Sequence, residues 1–291
     1  MSELRFSKYQ GTGNDFVMVI DLDDERPLQP QEIGGLCHRR TGIGADGLIR
    51  IVGSDRLGAS FFMDYANADG SPAEMCGNGI RCVGALLHAR GLLAPDVTEV
   101  DVATRAGVKH LRLTIGDSGT VDRVTVGMGE ANFTKAAIPM HGPAWETFLR
   151  QPFEVGPGME LTVSAVSMGN PHLVLFVDEH PDRYHVSHIG PSMERHELFP
   201  QHTNVEFAHV TDDGIDVRVW ERGSGETMAC GSGACAVAVA ANEADLAPAT
   251  VQIRFPGGVV HVERTPGQVW LTGEVQHVFD GTIDLDRLAR G

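Results

Sequence analysis

The sequence predicts an α+β protein of two pseudosymmetric half-domains, each a curved, mainly antiparallel sheet around one buried helix. Three observations predict it. Short motifs recur at a nearly constant offset, apolar segments alternate as strands do, and in each half a Cys-Gly-x-Gly turn opens onto an apolar helical stretch.

The repeat comes first. Gly13-Asn14-Asp-Phe-Val-Met-Val19 resembles Gly169-Asn170-Pro-His-Leu-Val-Leu175, a Gly-Asn turn feeding an apolar run in each case. Met75-Cys76-Gly-Asn-Gly79 resembles Ala229-Cys230-Gly-Ser-Gly233. Asn14 to Asn170 is 156 residues and Cys76 to Cys230 is 154, two independent matches at almost one offset. An ancient duplication explains both, with a linker near Gly127 to Pro139. Leu111–Ile115, Val121–Val126, Ile215–Trp220 and Val269–Thr272 alternate or nearly alternate, as half-buried antiparallel strands do. A helix is expected over Ile80–Arg90, closed by Gly91 as the residue beyond its C-cap. A second is expected over Ala234–Ala244, apolar nearly all round and therefore buried.

The chain has 291 residues and a formal charge of −16, from 23 basic and 39 acidic side chains. That balance argues against nucleic acid or an anionic membrane surface as partner. No apolar run approaches the ~18 residues of a membrane-spanning helix. The charged start, Met-Ser-Glu-Leu-Arg-Phe, does not read as a signal peptide. Five cysteines, an odd and sparse number, do not read as a secreted disulfide framework, so free thiols in a cytoplasmic protein are expected. The basic residues are 20 Arg against Lys8, Lys109 and Lys135 only, and none of those lysines lies near a cysteine motif in the sequence.

Two patterns mislead. Gly42-Ile-Gly-Ala-Asp-Gly47 matches the dinucleotide fingerprint, yet the strand-like Leu48–Val52 follows it where a helix N-terminus must hold the pyrophosphate. Gly231-Ser-Gly-Ala-Cys-Ala236 does open a helix but lacks the acidic residue that meets a ribose. Six histidines between His180 and His209 lack the paired ligand spacing of a zinc site and read as a solvated loop. Cys37, Cys82 and Cys235 read as small core residues.

The chemistry gathers at Cys76 and Cys230, each at a helix start, where unpaired N–H groups and the helix dipole favour a thiolate. The same N–H groups suit a carboxylate. Two such thiols meeting one carbon from opposite sides suit inversion there, one removing a proton and the other delivering one. Nucleophilic catalysis needs only one cysteine, normally beside an orienting histidine. A redox dithiol more typically takes Cys-x-x-Cys, which neither half has. Asn67 and Glu221 each stand nine residues before their cysteine. Glu221 offers a carboxylate for an ammonium, and Arg222 a planar fork for a carboxylate.

From Lys8 to the C-terminus the chain resembles the diaminopimelate epimerases, amino-acid racemases that work without pyridoxal phosphate. The resemblance rests on Gly-Thr-Gly-Asn14-Asp-Phe, Asn67-Ala-Asp-Gly-Ser, Cys76-Gly-Asn-Gly, Ser167-Met-Gly-Asn170-Pro-His172 and Glu221-Arg-Gly-Ser-Gly-Glu-Thr-Met-Ala-Cys230-Gly-Ser-Gly-Ala-Cys. It implies interconversion of LL- and meso-2,6-diaminopimelate, a step towards lysine and peptidoglycan, with neither cofactor nor metal. It makes Cys76 and Cys230 the acid/base pair, with Cys230 accepting and Cys76 donating the proton from LL to meso. Asn14, Asn67, Asn170, Asn204, Glu221 and Arg222 fall on substrate-binding positions, with the backbones of Gly77, Asn78, Gly231 and Ser232. His172 and Glu221 match positions that tune the thiols.

The resemblance also implies barrel-like sheets and a boundary at 1–128 and 129–275, the segment from about 276 to 291 returning to the first half. Some members carry Gln at position 47, where this chain has glycine, and many carry His where it has Gln10. The expected partners are the small-molecule substrate and a second copy of the chain in a homodimer, not nucleic acid or membrane. Two rivals stay open: a proline-type racemase of the same fold, against which Glu221-Arg222 argues, and a thiol-based redox or binding protein.

Overall fold

The structure, a computed structural model, describes residues 3–156 and 158–288. The chain divides into two compact units, Met1–Val126 with Gly273–Gly291, and Gly127–Thr272.

In the first unit the strands run β1 (Glu3–Gly11), β2 (Asn14–Ile20), β3 (Gly47–Gly53), β4 (Phe61–Asn67), β5 (Glu99–Thr104), β6 (Gly107–Ile115) and β7 (Val121–Gly129). Helix α1 (Pro30–Cys37) joins β2 to β3, and α2 (Gly77–Ala89) joins β4 to β5. Neighbours from β1 to β6 pair antiparallel, parallel, antiparallel, parallel and antiparallel. The two parallel pairs need crossovers, and the two helices supply them.

The second unit holds β8 (Gln151–Gly156), β9 (Met159–Ser167), β10 (Pro171–Phe176), β11 (Asn204–Thr211), β12 (Gly214–Glu221), β13 (Gly225–Thr227), β14 (Thr250–Phe255), β15 (Gly258–Thr265) and β16 (Gln268–Glu274). Helix α3 (Val186–Glu194) joins β10 to β11, and α4 (Gly231–Glu243) lies between β13 and β14. From β9 through β10, β11, β12 and β14 to β15, the same five senses follow in the same order. Topology therefore repeats where sequence shows only scattered motifs. β17 (Gln276–Asp284) pairs antiparallel with β1 from Gln10↔Gln276 to Glu3↔Asp284, and α5 (Leu285–Leu288) follows it.

All four alternating segments named from the sequence lie in strands, within β6, β7, β12 and β16. Both expected helices form, yet each begins three residues early, at Gly77 and Gly231. Glycine in a first turn reads as loop from sequence, but there the tertiary contacts decide. A Cβ on Gly79 would meet Ile49 Cδ1 at 2.7 Å and Phe16 Cζ at 3.3 Å, so the missing side chain lets α2 lie close on β2 and β3. Gly91 closes α2 with φ of 66°, the left-handed conformation its position called for. α4 is buried on all sides over most of its length. No helix among the described residues is long and apolar enough to cross a membrane.

One expectation fails. The histidine-rich stretch is no loop: it holds a turn of 3₁₀ helix at Pro181–Arg183, then α3, then most of β11. Val186, Ile189 and Met193 of α3 pack into the second unit's core with Phe199 and Phe207. An interior Pro191 and the polar histidines mask that periodicity. Cys37, Cys82 and Cys235 are buried. Burial pushes the Cys37 thiol to about 11 and the Cys82 thiol to about 12.

Candidate active site

In the first unit the site begins at Cys76, the N-cap of α2. Its extended backbone (φ −133°, ψ 120°) turns the sulfur back over the first turn, where it accepts the Gly79 N–H at 3.5 Å. This is the capping role usually filled by a Ser or Asp oxygen. The Cys76 thiol in turn donates to Asn14 Oδ1 at 3.5 Å. Asp46 fixes which way that amide points, taking the Asn14 Nδ2 hydrogen at 2.7 Å and the Asp15 backbone N–H at 3.1 Å. Asp15 is itself tied to Lys8 at 2.6 Å and Arg39 at 2.8 Å, and despite its burial these partners hold its carboxyl down to about 2. Gly77 and Asn78 form the first turn of α2. Asn67 ends β4, exposed, with its side chain donating to Ser71 Oγ at 3.1 Å in its own turn.

The second unit repeats the cap. Cys230 (φ −127°, ψ 120°) accepts the Gly233 N–H at 3.4 Å. Around it the side chains differ. Its sulfur lies 3.5 Å from Ser232 Oγ, which also receives Asn170 Nδ2 at 3.5 Å. Asn170 Oδ1 sits 3.0 Å from His172 Nε2, and His172 Nδ1 sits 2.7 Å from Glu206 Oε1. Glu221, at the end of β12, takes the Thr227 hydroxyl and neighbours the Cys230 thiol. Burial, then the adjacent Glu221 and Glu206, raise Cys230 well above the ordinary thiol value. Burial likewise raises Glu221 above the usual carboxylate range.

Asn204 is buried and fully engaged: Nδ2 donates to Pro171 O at 2.8 Å, and Oδ1 accepts the Arg222 N–H at 2.9 Å. The exposed Arg222 guanidinium donates only to Gln201 O, at 3.2 Å, and has no ion pair among the described residues. A fork so placed is ready for a carboxylate.

The sequence reading missed Arg81, Glu206, Asp46 and Thr227. Two of them carried a signal. Arg81 is a charge within the mostly apolar run of α2, and Glu206 falls inside the apolar β11 segment Val205-Glu-Phe-Ala208. Gly47, the departure noted above, has no room for a side chain, because a Cβ there would lie 2.6 Å from Ala66 O and from Tyr65 Cε2. Gln10, the other departure, accepts the Gly13 N–H at 3.0 Å and closes the turn before Asn14.

The paired sheets and their helices share a fold with solved structures of distant sequence. A hydroxyproline epimerase from Agrobacterium vitis superposes with a TM-score of 0.71 over 97% of this chain and 91% of its own, at 13% identity. A phenazine-biosynthesis protein of the PhzF family from Bacillus anthracis gives 0.68 over 98% and 100%, at 16% identity. At such identities the likeness is one of fold.

Sequence narrows it further. The model of the diaminopimelate epimerase family matches residues 6–134 and 164–278. Diaminopimelate epimerases of Leptospira biflexa and Acetivibrio thermocellus are 40% and 42% identical, over 97% and 98% of this chain and all of theirs. The chain belongs to the diaminopimelate epimerase family.

Proposed function

We propose that the protein interconverts LL- and meso-2,6-diaminopimelate by moving protons at one α-carbon, with Cys76 and Cys230 as its two acid/base groups. The observation that carries this reading is the matched pair of cysteine N-caps, each sulfur accepting the N–H of the third helical residue at 3.5 and 3.4 Å. One thiolate removes the α-proton, and the other thiol delivers a proton to the opposite face. From LL to meso, Cys230 accepts and Cys76 donates, and the roles reverse in the other direction. The carbanionic charge spreads into the α-carboxylate. The N–H groups of Gly77, Asn78, Gly231 and Ser232 hold that carboxylate, since helix N-termini stabilise anions. The reading therefore needs neither cofactor nor metal.

Arg222 reads the distal carboxylate with a fork that has no ion pair among the described residues, and Asn204 holds its backbone in place. Glu221 meets the ammonium and, with His172, sets the state of Cys230. Asn14, Asn67 and Asn170 complete the polar lining. The setting is the cytoplasm, where both thiols stay reduced. A proline-type substrate offers Arg222 no second carboxylate, which favours diaminopimelate over it.

Deuterium decides the mechanism. With LL-substrate in D₂O, proton NMR of early product should show deuterium at the inverted carbon while remaining substrate stays protiated. The donor thiol has exchanged with solvent, and it is not the thiol that accepted. Protium retained at the inverted carbon would mean a single base serving both faces. Turnover of proline but not diaminopimelate would overturn the substrate assignment.

A further inference from the structure

Equivalent thiols in a duplicated protein would be expected to have equivalent surroundings. Cys76 and Cys230 do not. Phe16 and Ile49 lie under the first turn of α2, since the absent Cβ of Gly79 faces both. At the corresponding places of the second repeat, two residues after Asn170 and two after Asn204, stand His172 and Glu206. The absent Cβ of Gly233 faces Glu206 Oε1 at 2.9 Å. Within the helices the exchange runs the other way. Five residues after Cys76 comes Arg81, and five after Cys230 comes Cys235.

Arg81 is fully buried. Its side chain folds back towards the start of α2, as helical side chains do. Nε donates to Gly77 O at 3.3 Å, and Nη2 donates to Asn78 Oδ1 at 2.7 Å and Thr12 Oγ1 at 2.8 Å. Nη1 donates to Glu274 O at 3.1 Å. Every one of these acceptors is neutral, and Arg81 has no ion pair among the described residues. The titratable groups that face it are the Cys82 and Cys76 sulfurs. Cys82 is held protonated by burial up to about 12, which leaves Cys76, among the described residues, as the titratable group placed to answer the charge.

The other charged groups described around Cys76 balance one another, and the remaining partner is a neutral amide. The Asn14 carbonyl favours the thiol, but as a neutral dipole it is weaker than a buried full charge. Behind it, Asp15 and Asp46 are matched by Lys8 and Arg39. Around Cys230 the balance is opposite: Glu221 and Glu206 face it, and His172 is bound to Glu206. Glu206 Oε2 is buried with no hydrogen-bond partner among the described residues.

We infer that Arg81 and Glu206 are positioning residues that give the two thiols opposite resting states, Cys76 the thiolate and Cys230 the thiol. The free enzyme then holds one charged base and one loaded acid before substrate arrives, the pair set for the meso-to-LL direction, in which Cys76 accepts and Cys230 donates. This rests on the acid/base reading of the two cysteines, but its test reads charge and not turnover, so either can fail alone.

The test is site-resolved alkylation of the full chain with iodoacetamide from pH 5 to 10, read by peptide mass. The pH of half-maximal rate reports thiolate formation whatever the absolute accessibility. In wild type, Cys76 should reach half-rate at least one unit below Cys230, about tenfold in thiolate fraction. Arg81→Met should move the Cys76 midpoint up by a unit or more, Arg81→Lys by less, and neither should move that of Cys230. Glu206→Gln should lower the Cys230 midpoint alone. Coincident or reversed wild-type midpoints overturn the inference even if Arg81→Met fails to fold. A folded Arg81→Met with an unmoved Cys76 midpoint overturns it as well.

Discussion

Asn204 Oδ1 accepts the backbone N–H of Arg222 at 2.9 Å, joining the start of β11 to the residue just past β12. The same side chain donates to Pro171 O at the start of β10, so one buried amide aligns three strand ends. Asn204→Ala should therefore act through Arg222. Leaving Pro171 O and the Arg222 N–H without their partner costs ~1–3 kcal/mol. We expect KM for diaminopimelate to rise about tenfold, with a smaller change in kcat. A fall in kcat at constant KM would show instead that Asn204 acts on the reacting carbon.

Either Cys76→Ala or Cys230→Ala should cut epimerisation by ~10²–10⁴, the range for a lost general acid or base. Thermal unfolding should change far less, since the hydrogen bonds described for each sulfur are long. Near-wild-type turnover in one variant would leave the enzyme with a single essential thiol.

Arg222→Lys should weaken activity strongly and leave the fold intact. The guanidinium is exposed and holds little else, so stability has no stake in it. An ammonium keeps the charge but cannot form two parallel bonds to one carboxylate. Steady-state kinetics beside circular dichroism check both halves of this expectation, and unchanged kinetics would make Arg222 a surface charge.

Gly47→Gln should destabilise. The new Cβ would meet the Ala66 carbonyl and the Tyr65 ring, both at 2.6 Å, and a backbone atom cannot step aside as a side chain end can. Overpacking of this kind costs ~1–3 kcal/mol. Denaturant melts should show it, and tighter substrate binding should not accompany it. An unchanged midpoint would mean that β4 shifts freely.

Stability should fall in alkali. Cys37 and Cys82 are pushed up to about 11 and about 12 by burial, and Cys230 is also raised. Unfolded thiols lose their protons from ~8.5 upward while the folded ones keep theirs, so rising pH favours the unfolded chain. The contribution is whole below ~8.5 and drains away as pH climbs towards 11, by up to ~1.4 kcal/mol per unit for each thiol. Urea melts between pH 7.5 and 10 measure it, and Cys37→Ala should flatten the slope by about one thiol's share. A stability flat across that range would refute it.

The strands were legible because alternation survives in a sheet with one solvated face, as in Ile215–Trp220 of β12. The repeat was legible at its turns, where Gly-Asn and Cys-Gly-x-Gly have few substitutes. The short helices were not. α1 carries Gly34 and Gly35, and α3 carries Pro191, so propensity argues against both while packing keeps them. In the site, Cys76, Cys230, Glu221 and Arg222 stood out by matched position and chemistry. Arg81 and Glu206 hid among apolar neighbours, and a buried charge shows its purpose only when its surroundings are known.

The identical order of strand pairing in the two repeats has a consequence for how such a site can evolve. Two copies of a half-length chain related by a two-fold axis are bound by symmetry: any substitution beside one sulfur appears beside the other. Fusing the copies into one chain lifts that restriction while keeping both scaffolds. The sister helices are then free to diverge one position at a time, arginine in one and cysteine in the other. A single gene can thereby tune its two ends separately for a stereocentre whose two faces make different demands.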